Sequence, residues 1–520
     1  MMRGKAILAG LFILSQAIHP GVRAENHVPL ALAGPESIRW EQEANLFLKV
    51  PGLHITSKDV DEKLKDAWLR FSGQNQDGDI SSRTIMLDAA DSSLAFADVN
   101  AGSPDNNWEG VRACTEGQGW ALMIAVQMND KPMFDKLWRF TKKYMQIKSF
   151  DPNTRRGAYF AWQVLPQKKG GAILKNPNDG PAPDGEIWIS SALTCAAGRW
   201  GNEGPIRYLD EAHAIESTML HIDEWNGYKQ NPDGSYQGQV DMVKMFQNLQ
   251  VCFIPGVYPM GSQKVSAHCI SDPSYCLPAF FELFARTGPE VDRNIWHEIA
   301  LHARRTYLPR ALGQSDDSPN DNKKTGVSPY LTLLDGTQYD AQPESGHTSS
   351  GDGLRTPSNV GMDYLWWSDG SRDFTFHEKF SNKFLSFLAD PTITNPGMNI
   401  SPFKEGSGFP YDYKRFWYGI YYTSGSDWII RNKPESQGNN SSNHNEASTG
   451  MNAVLAHAAS IDARWKFVEE LWGAHQPRRS INGSPHTYGE PYWDGNLYLL
   501  GLIETAGRMR PWMLTSATFR

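Results

Sequence analysis

Positive charge is never concentrated in this chain. Lys and Arg number 50 against 58 Asp and Glu, and the net charge is -8. No basic cluster stands out, which argues against a nucleic-acid partner. Long apolar runs are missing too. No segment after residue 24 reaches the roughly 18 apolar residues that a membrane-spanning helix needs, so no membrane partner is expected. Cysteine is sparse, at five residues, and shows no CxxC spacing, which excludes a disulfide scaffold. Cys252 could pair with Cys269, or either with Cys276, while Cys114 and Cys195 read as buried small hydrophobes. The histidines show no ligand spacing, so neither metal nor cofactor is expected. Strand-like alternation is rare, and no short repeat is visible.

What is present is globular: 40% hydrophobic and 21% charged residues. Aromatics, at 12% with 18 Trp, exceed what a core needs. Beyond packing, such an excess suits stacking on flat apolar faces such as sugar rings. Residues 1–24 read as a secretory signal. Arg3 and Lys5 precede the apolar Ala6 to Ile18, and Val22-Arg23-Ala24 offers a cleavage site. The expectation is an exported chain, secreted or periplasmic, with residues 25–520 forming a single catalytic-sized domain that acts as a monomer.

About a dozen helical patterns follow one another. They run at Ser57–Leu69, Gln118–Met128, Pro132–Met145, Ile187–Ala197, Tyr208–Ile222, Asp241–Gln250, Leu277–Arg286, Arg293–Tyr307, Ser358–Trp367, Phe374–Leu388, Met451–Ala459, Ile461–Trp472 and Leu497–Thr505. Helices in antiparallel pairs without a βαβ rhythm imply an all-α fold, and an (α/α)6 barrel is the closed way to arrange six helical hairpins. Two inserts, Ser315–Gly346 and Asn432–Thr449, read as long structureless loops. Gly73–Ser82 is a polar loop. Its Asn75, Asp77 and Asp79 hint at calcium, but the spacing of a calcium loop is missing.

Glu116 is the residue around which the rest is arranged. It lies among glycines in Thr115-Glu116-Gly117-Gln118-Gly119-Trp120, at the mouth of a helix apolar nearly all round. Burial raises a carboxyl's pKa, and a helix N-terminus lowers it. Three other helix starts carry a polar group against an apolar helix. Asp184 in Pro183-Asp184-Gly185 has the position of an N-cap. Tyr275 stands just before the helix that starts near Leu277. Asp352 and Arg355 are three apart and can pair, either as an orienting contact or as a surface ion pair. In a ring of hairpins these starts gather at one end. Two separated carboxyls in an aromatic cleft are what glycosidic hydrolysis requires.

Six stretches carry a resemblance in a consistent order: EGQGWALMIAVQM with FDKLWRFTKKYMQ (116–128 and 134–146), GAYFAWQ (157–163), GPAPDGEIWISSAL (180–193) with GRWGNEG (198–204), DPSYCLPAFFELFA (272–285), DGLRTPSNVGMDYLWW (352–367) and YWDGNLYLLGLIETAG (492–507). Together they make the chain similar to glycoside hydrolase family 8, in its xylan-active branch, over nearly all of residues 57–512. The resemblance implies an (α/α)6 barrel and an inverting, single-displacement hydrolysis of a β-1,4-linked oligosaccharide or polysaccharide. It assigns Glu116 as general acid and Asp352 as general base, with Arg355 beside it. Asp184 holds the sugar at the cleavage point, and Tyr275 helps to hold the attacking water. Trp162, Trp120 and the pair Tyr492-Trp493 are the implied sugar contacts.

Glu116 must then be protonated near neutral pH, raised by burial and by Asp184, and the two carboxyls should lie roughly 6.5–9.5 Å apart. The chain departs from the family pattern where Ile187-Trp188 follows DGE and Cys276 follows DPSY. In xylan-active members that release reducing-end xylose, a loop histidine blocks one side of the cleft. His444, in Asn443-His444-Asn445, matches it, although the flanking residues differ. The long 432–449 segment tilts the reading toward such exo action. Internal cleavage of xylan, an endo-β-1,4-glucanase and a sugar-binding protein on the same barrel are the alternatives.

Overall fold

Alternation between helices buried on every side and helices with one wet face sets the architecture. In a computed structural model of the chain, residues 28–34, 36–99, 108, 110–175, 180–222, 229–230, 236–237, 245–253, 270–340, 351–389, 446–478 and 491–514 are described. The barrel helices are α1 (Ser57–Ser72), α2 (Thr115–Gln127), α3 (Lys131–Phe140), α4 (Pro183–Trp200), α5 (Tyr208–His221), α6 (Pro278–Thr287), α7 (Arg293–His302), α8 (Thr356–Trp367), α9 (Thr375–Ala389), α10 (Glu446–Val454), α11 (Arg464–Gly473) and α12 (Trp493–Thr505). The even-numbered helices pack side by side in a closed inner ring, α2–α4–α6–α8–α10–α12 and back to α2. An odd-numbered helix lies outside each: α3 on α2, α5 on α4, α7 on α6, α9 on α8, α11 on α10, and α1 on α12. This is the (α/α)6 barrel that the helix grammar implied.

Sequence explains which helix goes where. Every residue of α2 except Glu116 is buried, as is every residue of α10 and every residue of α12 except Trp493. Outer helices bury only a stripe. In α1 it is Val60, Leu64, Ala67, Trp68 and Phe71, spaced for one face. The start of α1 is fixed by a capping box, in which Thr56 and Asp59 each satisfy the other's backbone N–H.

Glycine sets how closely inner helices approach. A Cβ at Gly119 would stand 2.6 Å from Cβ of Trp188, and one at Gly185 would stand 2.4 Å from Cβ of Thr115 and 2.9 Å from its carbonyl carbon. These two glycines let α2 and α4 touch backbone to backbone. Gly185→Ala should therefore cost about 1–3 kcal/mol by overpacking. The check is a fall in denaturation midpoint that a change at the open Gly180 does not reproduce.

Most expected helices are present, with ends shifted by a few residues. Those of Pro132–Met145 and Arg293–Tyr307 finish in wider π-helical turns at Thr141–Met145 and Ala303–Tyr307. Asp241–Gln250 is a correction. Residues 241–244 lie outside the described residues, and beyond them Phe246–Gln247 pairs antiparallel with Gln250–Val251. Asn248 and Leu249 both have positive φ, the signature of a two-residue hairpin turn. Turn chemistry at Asn248 overrides the apolar periodicity. The 315–346 segment is not structureless over its described part. Ser318, Asn320, Asn322, Val327 and Thr332 are buried, and Thr332–Leu333 pairs with Ile270–Ser271. Asn320 and Asn322 hold it by donating to the carbonyls of Arg310, Ala311, Val327 and Gly336. The other insert ends earlier than expected, because Glu446–Thr449 is the buried first turn of α10.

In the loop after α1, Arg70 pairs with Asp77 at 3.1 Å and Asp79 at 3.6 Å. Cys252 is disulfide-bonded, whereas Cys114, Cys195 and Cys276 are free and buried, which removes the pairings through Cys276. Among the described residues no helix is long and apolar enough to cross a membrane. Residues 1–24, Cys269 and His444 lie outside the described residues.

Candidate active site

The inner helices all begin at the same end of the ring, and their first turns carry acidic groups: Glu116 on α2, Asp184 on α4, Glu446 on α10 and Asp494 on α12. Before α6 lies the turn Pro273–Tyr275, and before α8 the turn Gly351–Arg355. One side chain joins them. The Nη1 of Arg355 donates to Glu116 at 3.0 Å and to Asp184 at 3.2 Å. Its Nη2 pairs with Asp352 at 3.0 Å and donates to Ser274 Oγ at 3.1 Å. Arg355 is buried, so its contact with Asp352 is no surface ion pair. Oxygens on the two terminal nitrogens of one planar guanidinium are at most about 8 Å apart. Glu116 and Asp352 thus share one counter-ion and lie close together.

The local chain explains each placement. Residues Ala113–Cys114 form a strand against Gln163–Val164, and the Thr115 N–H donates to the Trp162 carbonyl at 3.0 Å. This sets Trp162, 40% exposed, beside the start of α2, with the Lys175 ammonium 5.7 Å above its ring. Asp184 is not the N-cap of α4. Pro183 takes the first helical position and Ala182 the cap, so Asp184 falls inside the first turn, where it accepts from the Gly185 N–H at 2.8 Å. Its other oxygen is thereby free to meet Arg355. Tyr275 is held from α8, where the Asn359 amide donates to the carbonyls of Ser274 at 2.7 Å and Cys276 at 3.2 Å. Phe253 packs edge-on against the Tyr275 ring at 5.1 Å.

Four carboxyls, from Glu116, Asp184, Asp352 and the buried Asp272, surround this one guanidinium. They cannot all be ionised. Burial drives Glu116 well above the usual carboxylate range; Arg355 opposes this, and Asp184 and Asp352 reinforce it. Asp184 is pushed up to about 6, again by burial first, with Arg355 opposing. Asp272 is raised by burial and by the nearby Asp352, and accepts from the Ser274 N–H at 2.7 Å. The site therefore places a Glu116 that burial biases toward its protonated form close to Asp352, the pairing that acid–base work on one bond needs.

The implied aromatic contacts divide. Trp162 is exposed beside the start of α2 and Trp493 is half-buried. Trp120 is not available to a sugar. Its relative exposure is 0%, and it sits under Arg355 with the guanidinium carbon 5.3 Å from its ring. Helix α2 is buried on that side, so the indole packs inward against Trp493. Tyr492, 4% exposed, turns its hydroxyl to Glu116 Oε1 at 2.9 Å rather than into open space. Sequence reading missed Ser274, Asn359 and Asp272 as supports. The Asp272-Pro273-Ser274 turn was a visible signal, whereas Asn359 looks like any helical polar residue.

The sequence profile of glycosyl hydrolases family 8 matches residues 104–226. The chain is 29% identical over 458 residues to a reducing end xylose-releasing exo-oligoxylanase of Halalkalibacterium halodurans, covering 87% of this chain and 91% of that one. It is 29% identical over 400 residues to a reducing-end xylose-releasing exo-oligoxylanase of Paenibacillus barcinonensis, covering 76% and 82%. In three dimensions it is similar to a family 8 protein of Teredinibacter turnerae solved with xylobiose, with a TM-score of 0.64, 27% identity, and 90% and 98% of the two chains covered. A barrel whose inner helix starts bring Glu116 and Asp352 together on one Arg agrees with all three likenesses, and through them the chain is similar to glycoside hydrolase family 8.

Proposed function

We propose that the protein hydrolyses β-1,4 bonds of xylan-derived oligosaccharides with inversion, releasing xylose from the reducing end. The observation that carries this is the joint hold of Arg355 on Glu116 and Asp352, with burial pushing the Glu116 carboxyl well above the usual range. In the reaction, Glu116 gives its proton to the glycosidic oxygen as the bond from that oxygen to the anomeric carbon breaks. A water attacks the same carbon from the opposite face and gives its proton to Asp352. Exchange with solvent then reprotonates Glu116 and deprotonates Asp352. Asp184, on the same guanidinium, holds the sugar ring at the cleavage point. Tyr275, 5.5 Å from the Arg355 carbon, faces the water. The curated relatives named above support reducing-end release. Internal cleavage of xylan is the second reading, supported by the likeness to a family 8 xylanase of Teredinibacter turnerae solved with xylohexaose. The Arg3 to Ala24 segment supports export to the periplasm or medium.

Purified protein on xylohexaose, followed by NMR, tests this. Xylose should appear first, and the newly formed reducing end should be α before it mutarotates. A spread of mid-length products would replace exo by endo action. Cleavage of cellohexaose alone would move the substrate to glucan. A first-formed β anomer would overturn the roles of Glu116 and Asp352.

A further inference from the structure

We propose that Cys114 fixes the direction in which the Tyr492 hydroxyl donates, and so keeps Tyr492 a standing donor to Glu116. The inference rests on the proposed role of Glu116 as acid. Cys114 ends the strand that leads into α2 and caps that helix. Its Sγ accepts from the Gly117 N–H at 3.5 Å and lies 3.0 Å from the Tyr492 hydroxyl. That hydroxyl lies 2.9 Å from Glu116 Oε1. A thiol can donate or accept, and so can a phenol. The contact could thus run either way. The strengths of the acceptors remove the ambiguity, because sulfur is a weak acceptor, with one lone pair already turned to the Gly117 N–H, whereas the Glu116 oxygen is a strong one that takes the single phenol proton. The S–H is left to point at Tyr492, and the phenol proton is left to point at Glu116. In the reverse order Glu116 would spend its own proton on Tyr492, away from the scissile bond.

The first turn of α2 is cut to admit this chain of bonds. A Cβ at residue 117 would stand 2.6 Å from the Tyr492 ring and 2.9 Å from its oxygen. Only glycine lets the hydroxyl pass over the turn to reach Glu116. Burial keeps the Cys114 thiol protonated, pushed up to about 12, so its proton stays in place through the reaction. The donor is then already aligned when Glu116 loses its proton, with no reorganisation during the step. The groups facing Glu116 are Arg355 and Asp352 from the turn before α8, Asp184 from α4, Tyr492 from the turn before α12, and Cys114 itself. Cys114→Ala also removes the sulfur that caps α2 at Gly117, so the comparison with and without Tyr492 is what separates the relay from the cap.

The experiment compares Cys114→Ala and Cys114→Ser, each alone and with Tyr492→Phe. It measures kcat, KM and the pH profile on xylohexaose. In substrate-free protein it measures the Glu116 titration by 13C NMR of carboxyl-labelled glutamate, with Glu116→Gln giving the assignment. Losing the aligned donor destabilises the carboxylate, so Cys114→Ala should move the Glu116 midpoint and the basic limb upward. It should lower kcat about 3–10-fold, the size of one ordinary hydrogen bond, with KM nearly constant. Cys114→Ser, which can still donate, should recover most of that loss. With Tyr492→Phe present, Cys114→Ala should add nothing. An unmoved midpoint in Cys114→Ala, or an equal shift with and without Tyr492, overturns the relay. If alanine prevents folding, valine replaces it as the filled side chain without a donor, and the same outcomes decide. A wild type inactive on xylohexaose would sink the proposed function, while the substrate-free titration still decides the relay.

Discussion

Glu116→Gln should lower kcat on xylo-oligosaccharides by about 10²–10⁴-fold, the usual worth of a positioned general acid. KM should move little. Glutamine has the shape of the carboxyl and keeps an oxygen to accept one bond, from either Tyr492 or Arg355. What it cannot do is release a proton to a leaving sugar oxygen. The basic limb of the pH profile should disappear with the residue that causes it. Substrates with a good leaving group, which need no protonation, should lose far less activity than xylohexaose. The measurement is therefore a pair of rates, on xylohexaose and on an activated aryl xyloside. Equal losses on both would mean that Glu116 does something other than protonate the leaving group.

Arg355→Met should be worse, because it damages both chemistry and fold. The side chain is buried and holds three carboxyls from three separate parts of the ring, at 3.0, 3.2 and 3.0 Å. Removing one partner of a buried ion pair costs about 3–5 kcal/mol, since the remaining charges lose their counter-ion. The loss should depend on pH. Asp184 has its folded pKa raised to about 6, above the unfolded value of 3.8, even with Arg355 present. A carboxyl raised in the fold contributes its stability below the unfolded pKa and loses it as pH rises through the folded one. Without Arg355 the folded pKa rises further, so the variant should trail the wild type least near pH 4 and most near pH 8. Denaturation curves at the two pH values check this. A constant difference would show that Arg355 acts through packing on Trp120, Tyr275 and Trp493, all within 5.7 Å of its guanidinium carbon.

Much of this was legible before the fold was seen, for a physical reason. A helix that must be buried on every side cannot hide it, and α2, α4, α8 and α12 announce the inner ring by composition alone. Glu116, Asp184, Tyr275, and Asp352 with Arg355 stand at the starts of α2, α4, α6 and α8, so their convergence follows once the ring closes. What sequence could not show is contact between distant stretches. Tyr492 and Glu116 are 376 residues apart, and nothing in either neighbourhood names the other. Trp120 was an implied sugar contact, yet helical rotation turns it inward. Asp184 was read as a cap for want of knowing that Pro183 opens the helix. The 246–251 hairpin escaped because an apolar run of that length fits either period.

The glycine seams described above carry a further consequence, a mechanical one. Backbone meets side chain or backbone at Gly119 and Gly185 between α2 and α4, at Gly361 between α8 and α10, and at Gly450 and Gly501 between α10 and α12. Helices in such contact have no side-chain cushion to compress, and they cannot slide by a fraction of a turn without collision. At these three of its six neighbour contacts the ring is stiff. Whatever yielding is needed to admit and release a sugar chain then falls to the other contacts and to the connecting segments, while the α2–α4 seam sets the spacing of Glu116 from Asp184 and Arg355 tethers Asp352, on its connecting turn, to both.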